Sequence, residues 1–247
     1  MPLYSSEALI LRTYKLGEAD RIVVFLSRDR GKKRGVAKGA RRARSRFLGA
    51  LEPLTRVNVA YFERERRDLV SLNYAEAVRS PLQTASGNGL AYVGYFAELL
   101  DEWSPEGDPG ERLYRLGTSM LDAFASRVPL PVLARYFEYW LLKLQGVYPA
   151  LDACGSCRTA LADRGAVIAA RASAVLCVEC GRDAGGVRMS PAALAFLRAA
   201  GPLAPGALAS VPFEPHVARE LEAAHRALIA HHLDREPRSV RVLRDIG

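Results

Sequence analysis

Four cysteines are the residues of this chain whose type and spacing most directly indicate a chemistry. They form two Cys-x-x-Cys pairs, Cys154 with Cys157 and Cys177 with Cys180, and 19 residues separate the pairs. Each Cys-x-x-Cys turn directs two thiolates at one centre, and two such turns complete a tetrahedron around Zn²⁺. Because four thiolates leave no position open for water, the spacing predicts one structural zinc ion and not a catalytic one.

Two other uses of paired cysteines agree less well with the sequence. Disulfides are typical of exported proteins, and the first residues contain no basic segment followed by an apolar one. A redox Cys-x-x-Cys would explain one pair but not the second, and neither pair follows a strand of a βαβ unit. The four histidines all follow the cysteines, and none lies in the His-x-Glu or His-Glu-x-x-His context of deaminases and metalloproteases.

A basic segment near the N-terminus, residues 28–46, is the second candidate for a chemical role. It holds ten basic residues and one acid, so it carries +9, and the remaining 228 residues of this +8 chain carry −1. A positive field confined to one segment is expected of a surface that binds a polyanion. Arginine offers a planar fork of donors to phosphate oxygens. The predicted nucleic-acid contacts are Arg28, Lys32, Lys33, Arg34, Lys38, Arg41, Arg42, Arg44 and Arg46.

A run of charge is often only a solvated or disordered face, but three features of this one favour a binding surface. It is almost free of acids, it begins within strand-like sequence, and it contains the compact set Lys38-Gly-Ala-Arg-Arg-Ala-Arg-Ser-Arg46. An acidic protein or an anionic membrane remains an alternative partner, although we find no lipidation motif and no basic amphipathic helix. Aromatic residues of the strands could stack on bases, but their burial preference places most of them in a core. These aromatic residues are Tyr14, Phe25, Phe47, Tyr61, Phe62 and Tyr74.

The basic segment lies within residues 1–80, where the apolar pattern is that of strands. Apolar side chains recur at every second position in 57–61 and 70–74 and less regularly in 8–13, and Ile22–Leu26 is a short apolar run. With Lys33–Lys38 counted as a strand there are five, and a Gly/Arg-rich insertion, Gly39–Glu52, separates the third from the fourth. This pattern predicts a small closed β-barrel of the OB type, although periodicity alone does not exclude an SH3-like barrel.

From residue 81 the apolar period becomes helical, which predicts a second, α-helical domain over 81–247. The four cysteines interrupt it as a zinc-binding insertion over 150–188. The predicted fold is therefore an α+β multidomain one, an OB-fold barrel followed by a helical domain with a four-cysteine zinc finger. No 18-residue window is both apolar and free of charge, so we expect no membrane span and a cytoplasmic location. The predicted helices cover 90–103, 113–124, 132–144, 190–201 and, as the last, 214–233.

Taken together, the motifs of this chain resemble those of the bacterial RecO recombination mediators. The resemblance extends over nearly the whole chain and keeps the order of the domains, and it is the ordered set of motifs that is specific, not any single motif. Beyond the Cys-x-x-Cys pairs, the motifs are Glu7–Arg12, Gly17–Asp20, Arg30-Gly31, Val36–Arg42, Ser45-Arg46 and Leu51–Leu54.

The resemblance implies an OB-fold domain, then a helical domain with a zinc finger. It also implies a protein that binds single- and double-stranded DNA at the nucleoid and anneals complementary strands. With RecR, such a protein helps load RecA onto single strands coated by the single-stranded-DNA-binding protein SSB. By position, Lys38, Arg41, Arg42, Arg44 and Arg46 would contact DNA, and the four cysteines would bind zinc. An SSB tail, acidic and ending in an aromatic residue, would need an apolar slot beside a base, for which we name Arg127, Arg135 and Lys143.

Two other functions are compatible with the same residues. An RNA-binding or ribosome-associated factor would use a basic OB barrel equally well. A zinc-ribbon nuclease or primase would need clustered carboxylates for Mg²⁺. The nearest acidic groups are interleaved with arginine or lie beside apolar residues, and there is no Walker A motif, so we expect no enzyme. Those groups are Glu63, Glu65 and Asp68, and Asp101 with Glu102.

Overall fold

Five strands in the N-terminal part of the chain close into a barrel in the order β1-β2-β3-β5-β4 in the computed structural model. Neighbouring strands are antiparallel except β3 and β5, which pair in parallel at Gly35–Val70 and Val36–Ser71. This closed order confirms the predicted OB-type barrel. The strands are β1 Leu3–Leu16, β2 Asp20–Ser27, β3 Gly31–Ala37, β4 Arg56–Phe62 and β5 Val70–Arg79. The structure describes residues 2–64, 68–85, 87–126, 128–161, 164–172 and 174–246.

The segment between β3 and β4, residues 38–55, is a series of turns that packs into the barrel. Its Phe47, Ala50 and Leu51 are buried in the same apolar core as the inward side chains of the strands, such as Phe25 and Tyr61. Apolar burial of this kind stabilises a loop that has no regular secondary structure of its own. The basic part of the segment is thus anchored by the barrel core.

Backbone hydrogen bonds hold the same segment at both ends. The Gly39 N–H donates to the Asp20 carboxylate over 2.7 Å, and the Arg41 N–H donates to the Ala19 carbonyl over 2.9 Å. At the other end, the Leu54 N–H donates to the Ile10 carbonyl over 2.7 Å. The segment is therefore joined to the β1–β2 turn and to the middle of β1.

Six α-helices follow the barrel within the described residues. The five predicted helices are confirmed, and a Ser190 side chain caps the fourth by accepting from the Ala193 N–H. The prediction that the helix over 214–233 is the last was wrong, because α6 follows it. Buried Glu98 holds the start of α6 by accepting from the Ser239 N–H over 2.8 Å and from its hydroxyl. The helices are α1 Gly89–Trp103, α2 Glu111–Ala123, α3 Leu130–Leu144, α4 Pro191–Ala200, α5 Pro215–Leu233 and α6 Ser239–Ile246.

The chain divides into two compact units. The first consists of Met1–Ala125 and Ser239–Gly247, and the second of Ser126–Arg238. The first holds the barrel with α1, α2 and α6, and the second holds α3, α4 and α5. The domain limits expected from sequence, 1–80 and 81–247, stay a prediction. Among the described residues, no helix is sufficiently long and apolar to span a lipid bilayer.

The second unit also contains a small antiparallel sheet that the sequence patterns did not indicate. Its strands run in the order β7-β6-β8. They are too short to show an alternating pattern, which explains why periodicity did not predict them. The strands are β6 Ala166–Ala169, β7 Ala174–Leu176 and β8 Val187–Met189.

Candidate nucleic-acid interface and metal centre

Eight of the nine basic residues predicted to contact nucleic acid fall into two structural groups. Three of them, which we call the paired cations, form ion pairs with acids: Arg28, Lys32 and Lys33. Five others, which we call the basic loop, lie in the segment that follows β3: Lys38, Arg41, Arg42, Arg44 and Arg46. The ninth, Arg34, lies in β3 with its side chain exposed.

The two lysines among the paired cations are largely buried. The Lys33 ammonium lies 2.7 Å from a carboxylate oxygen of Glu63, and its side chain is 17% exposed. The Lys32 ammonium donates to the Asp101 carbonyl over 2.7 Å and lies 3.7 Å from its carboxylate. Burial raises the pKa of Asp101, and the positive charges of Arg12 and Lys32 oppose that rise. Much of the charge of these lysines is compensated within the fold.

Arg28 is more exposed than these lysines but is also paired. Its guanidinium lies 3.5 Å from the Glu7 carboxylate and 3.3 Å from the Glu111 carboxylate. The hydrogen bond from Arg28 to Glu111 raises the pKa of the arginine. Exposed pairs of this type contribute little stability, so the main effect of Glu7 and Glu111 is to cancel the local positive field.

No residue of the basic loop forms an ion pair with any acid in the part of the chain that the structure describes. All five side chains are exposed. Arg41 donates from its guanidinium to the Gly17 carbonyl over 2.9 Å, which fixes its position without cancelling its charge. The Arg46 guanidinium lies 5.0 Å from the ring centre of Phe47, a cation–π contact that also leaves the charge intact. The basic loop is therefore a concentrated and uncompensated positive surface.

Three of the six aromatic residues considered for base stacking are in the barrel core. Phe25, Phe47 and Tyr61 are at most 2% exposed, so they cannot reach a base. Tyr14 and Tyr74 are 43% and 40% exposed, and they remain available for stacking, whereas Phe62 is half-buried.

The four cysteines converge as their spacing predicts. Their sulfur atoms all lie within 4.8 Å of one another, a grouping that could hold a metal ion. The Cys157 and Cys177 sulfurs are 3.8 Å apart, far beyond the ~2.05 Å of a disulfide. A tetrahedron with sulfurs at ~2.3 Å from a central Zn²⁺ has edges of about 3.8 Å. The donor set and the measured separation thus fit zinc.

Backbone N–H groups near this cluster stabilise the thiolate form of Cys154. Burial would raise the pKa of Cys154, but backbone N–H groups of Cys157, Cys177 and Ser156 lower it to about 6. The pKa of Cys180 rises to about 12, because its proton is shared with the sulfurs of Cys177 and Cys157. A cation at the centre of the cluster would take the place of that proton.

The turn at the second pair leaves no room for a larger residue than glycine. The Gly181 N–H donates to the Cys177 carbonyl over 2.8 Å. A Cβ atom at position 181 would lie 2.6 Å from the side chain of Val167 in β6. Glycine is therefore required for the sulfur-bearing turn to approach the small sheet.

Comparison with known proteins covers both the barrel and the residues that follow it. Residues 1–81 match the family model described as Recombination protein O N terminal, and residues 85–241 match Recombination protein O C terminal. The chain belongs to the RecO family. Curated relatives named DNA repair protein RecO share its length. The Anaeromyxobacter sp. (strain K) protein is 37% identical over 97% of this chain and 95% of the relative. The Geobacter metallireducens protein is 36% identical over 98% of this chain and 97% of the relative.

Of the three bases considered for an SSB tail, only Lys143 stays a candidate among the described residues. Arg127 lies outside them. The Arg135 side chain is buried, and it lies 2.8 Å from the carboxylate of buried Glu138, so it is not accessible to a peptide. The exposed Lys143 lies 5.0 Å above the ring of Trp140, beside a cavity of about 290 Å³. The cavity lining includes Tyr139, Tyr148, Pro149, Leu151 and Arg198.

Proposed function

We propose that this RecO family member is a DNA-binding recombination mediator that grips phosphate backbones with its basic loop. The observation that carries the proposal is the absence of ion pairs at Lys38, Arg41, Arg42, Arg44 and Arg46 within the described residues, next to cations that are paired. An uncompensated cationic surface attracts a polyanion, and binding gains free energy because condensed counterions are released. Such a protein binds single strands and duplexes alike, since both present phosphates.

Annealing of complementary strands needs no covalent chemistry. Two strands repel each other through their phosphates, and a protein that neutralises both reduces the cost of bringing them together. We propose that the protein anneals strands in this way and, with RecR, helps load RecA onto SSB-coated single strands at the nucleoid. The activity we propose is therefore mediation and not catalysis.

The positions of the nearest carboxylates support a role without catalysis. Glu63 is engaged by Lys33, and Asp101 lies between Arg12 and Lys32. A two-metal nuclease would need such carboxylates clustered and free to bind Mg²⁺. Glu65, considered with them, lies outside the described residues.

We propose that the cysteine cluster binds one Zn²⁺ ion as a structural element of the second unit. Cys154, Cys157, Cys177 and Cys180 would supply all four ligands, which leaves no position for a substrate or water. The ion would join the turn that precedes β6 to the turn that follows β7, and it would stabilise a part of the chain with a small apolar core. Metal analysis of the purified protein should give one zinc per chain.

We propose that an SSB tail binds at the cavity beside Lys143. The cavity combines aromatic and aliphatic walls with two bases, Lys143 and Arg198, and one acid, Asp152. The two bases outnumber the acid, so the lining suits an acidic peptide with an aromatic end. Lys143→Glu should weaken binding of a labelled SSB tail peptide by about tenfold or more, because a favourable charge contact becomes repulsive. Arg219→Glu, at an exposed position of α5, is the matched control and should bind normally.

The central test of the proposed function is strand annealing with SSB-coated oligonucleotides. The wild-type protein should accelerate annealing, and a Lys38→Ala/Arg42→Ala/Arg44→Ala variant should not. If six phosphates are engaged, log K should fall against log salt with a slope of about −4 for single strands. A slope near zero, or preference for RNA over DNA of the same sequence, would contradict the proposal.

A further inference from the structure

We propose that Leu48 is an apolar wedge that inserts between bases of the nucleic-acid strand held by the basic loop. The inference rests on the proposed DNA-binding function and adds a base-directed contact to it. It starts from the exposure of Leu48, which neither core packing nor phosphate binding explains.

Leu48 is 79% exposed, and no other large hydrophobic side chain is as exposed within the described residues. Its neighbours show that the segment could have buried it. Phe47 and Ala50, on either side, are both 2% exposed and belong to the barrel core. The chain therefore inserts two apolar anchors into the barrel and holds a third apolar side chain outside.

Hydrogen bonds within the turn fix that outward position. The Phe47 N–H donates to the Ser45 hydroxyl over 3.2 Å. The Leu48 N–H donates to the Ser45 carbonyl over 3.3 Å, and the Ala50 N–H donates to the Phe47 carbonyl over 3.1 Å. Gly49 then turns the chain with a φ of +74°, a conformation that glycine adopts without strain. Leu48 thus projects from a structured turn.

The charge around Leu48 decides what it contacts. A single exposed leucine is ordinary on a protein surface, but this one follows Arg42, Arg44 and Arg46, whose charges no acid compensates among the described residues. A partner drawn to this position is a polyanion, and the apolar parts of a nucleic acid are the faces of its bases. Proteins that bind the minor groove of duplex DNA frequently insert Leu, Ile, Phe or Met between base steps, and the same contact is open to a leucine beside a bound single strand.

A wedge at this position has a consequence for annealing. A strand whose bases are stacked on each other, or folded into a short hairpin, must be opened before it can pair with its complement. A leucine between two bases separates them, while the neighbouring arginines keep the phosphates bound. The basic loop would then hold the strand with some of its bases unstacked and ready to pair.

The test uses single-stranded oligonucleotides that contain 2-aminopurine, whose fluorescence rises when the base is unstacked. The full-length wild-type protein should raise the fluorescence on binding. Leu48→Ala should abolish most of that rise and bind about tenfold more weakly, because the leucine side chain is no longer removed from water on binding. Leu48→Met, which keeps a long apolar side chain, should retain the rise. Leu82→Ala removes another exposed leucine, 57% exposed and outside the basic segment, and should behave as wild type.

The outcomes separate the wedge from the function on which it rests. Wild-type protein that fails to bind the oligonucleotide overturns the DNA-binding function and the wedge with it. Normal binding without a rise in fluorescence, or a full rise with Leu48→Ala, overturns the wedge alone. Loss of RecR binding by Leu48→Ala with an unchanged fluorescence rise would assign the leucine to a protein contact instead and also overturn the wedge.

Discussion

The two groups of cations in residues 28–46 differ in structure although they are alike in sequence. Lys32 and Lys33 project from a strand and lie against acids that are 69 and 30 residues away in the chain. Lys38, Arg42 and Arg44 lie in the basic loop, all exposed and without an ion pair to the described acids. The lysines of the first group pair with acids of the same chain, whereas the charges of the second group are available to an external partner. The net charge of residues 28–46 therefore includes three cations, the paired cations, whose charge is not available to a nucleic acid.

Removing the unpaired charges tests this difference most strongly. Lys38→Ala/Arg42→Ala/Arg44→Ala should weaken single-strand binding about 100-fold at ~0.1 M salt and reduce the salt slope by about 2. Thermal unfolding should hardly change, because exposed side chains contribute little stability. Fluorescence anisotropy with a labelled oligonucleotide, measured across a salt series, gives both quantities.

The matched control removes three charges from the paired cations. Arg28→Ala/Lys32→Ala/Lys33→Ala should weaken the same binding by less than about 5-fold, the cost of one phosphate contact. It should instead lower the free energy of unfolding, because the Asp101 and Glu63 carboxylates lose partners that are largely buried. If both triple variants lose affinity equally, the distinction between the groups is wrong.

The reverse experiment frees a paired cation. Glu63→Gln keeps a hydrogen-bond acceptor near Lys33 but removes the negative charge 2.7 Å from its ammonium. Single-strand affinity should rise, by up to about 5-fold if Lys33 then engages one phosphate. Glu76→Gln, at an exposed position of β5, changes the net charge equally and should give a smaller increase. Equal gains would indicate that only the overall charge matters.

Removal of metal from the cysteine cluster should leave the basic loop unchanged. The cluster belongs to the second unit and the basic loop to the first, and independent sites have additive energies. A zinc chelator should change single-strand affinity by less than about 2-fold, while residues 150–188 become sensitive to limited proteolysis. A large loss of affinity on chelation would show that the cluster takes part in binding.

A pH series tests how firmly the paired cations are held. Burial raises the folded-state pKa of Asp101 above its usual value. The stability that this carboxyl contributes is fully present below the unfolded-state pKa and is lost as pH rises through the folded one. Wild type should therefore lose stability relative to Asp101→Asn as pH rises from about 4. Urea unfolding of both proteins measures the difference, and a change of opposite sign would contradict the burial effect.

The parts of this structure that depend on short spacing could be predicted from the sequence. The alternation of apolar residues predicted the strands of the barrel, and the spacing of the two Cys-x-x-Cys pairs predicted the sulfur cluster. The ion pair of Lys33 with Glu63 could not be found, because it depends on which strands lie side by side. Helix α6 was not assigned because it has only eight residues, with two arginines and one acid among its apolar residues, and because its start depends on Glu98, 141 residues away.

The exposure of Leu48 is also beyond the reach of sequence patterns. Phe47 and Leu48 are adjacent and equally apolar, yet one lies in the barrel core and the other in solvent. Only the turn geometry, with Gly49 in the left-handed region, distinguishes them. The direction of the backbone decides whether an apolar side chain is buried in the core or exposed on the surface.

The return of α6 to the first unit has a consequence for the order of events during synthesis. The first unit is built from the start of the chain and from Ser239 onward, so all of the second unit leaves the ribosome before α6 does. Until then Glu98 in α1 lacks the Ser239 donors that it binds in the finished protein. We therefore expect the nascent barrel unit to gain full protection from proteases only after the second unit has been translated.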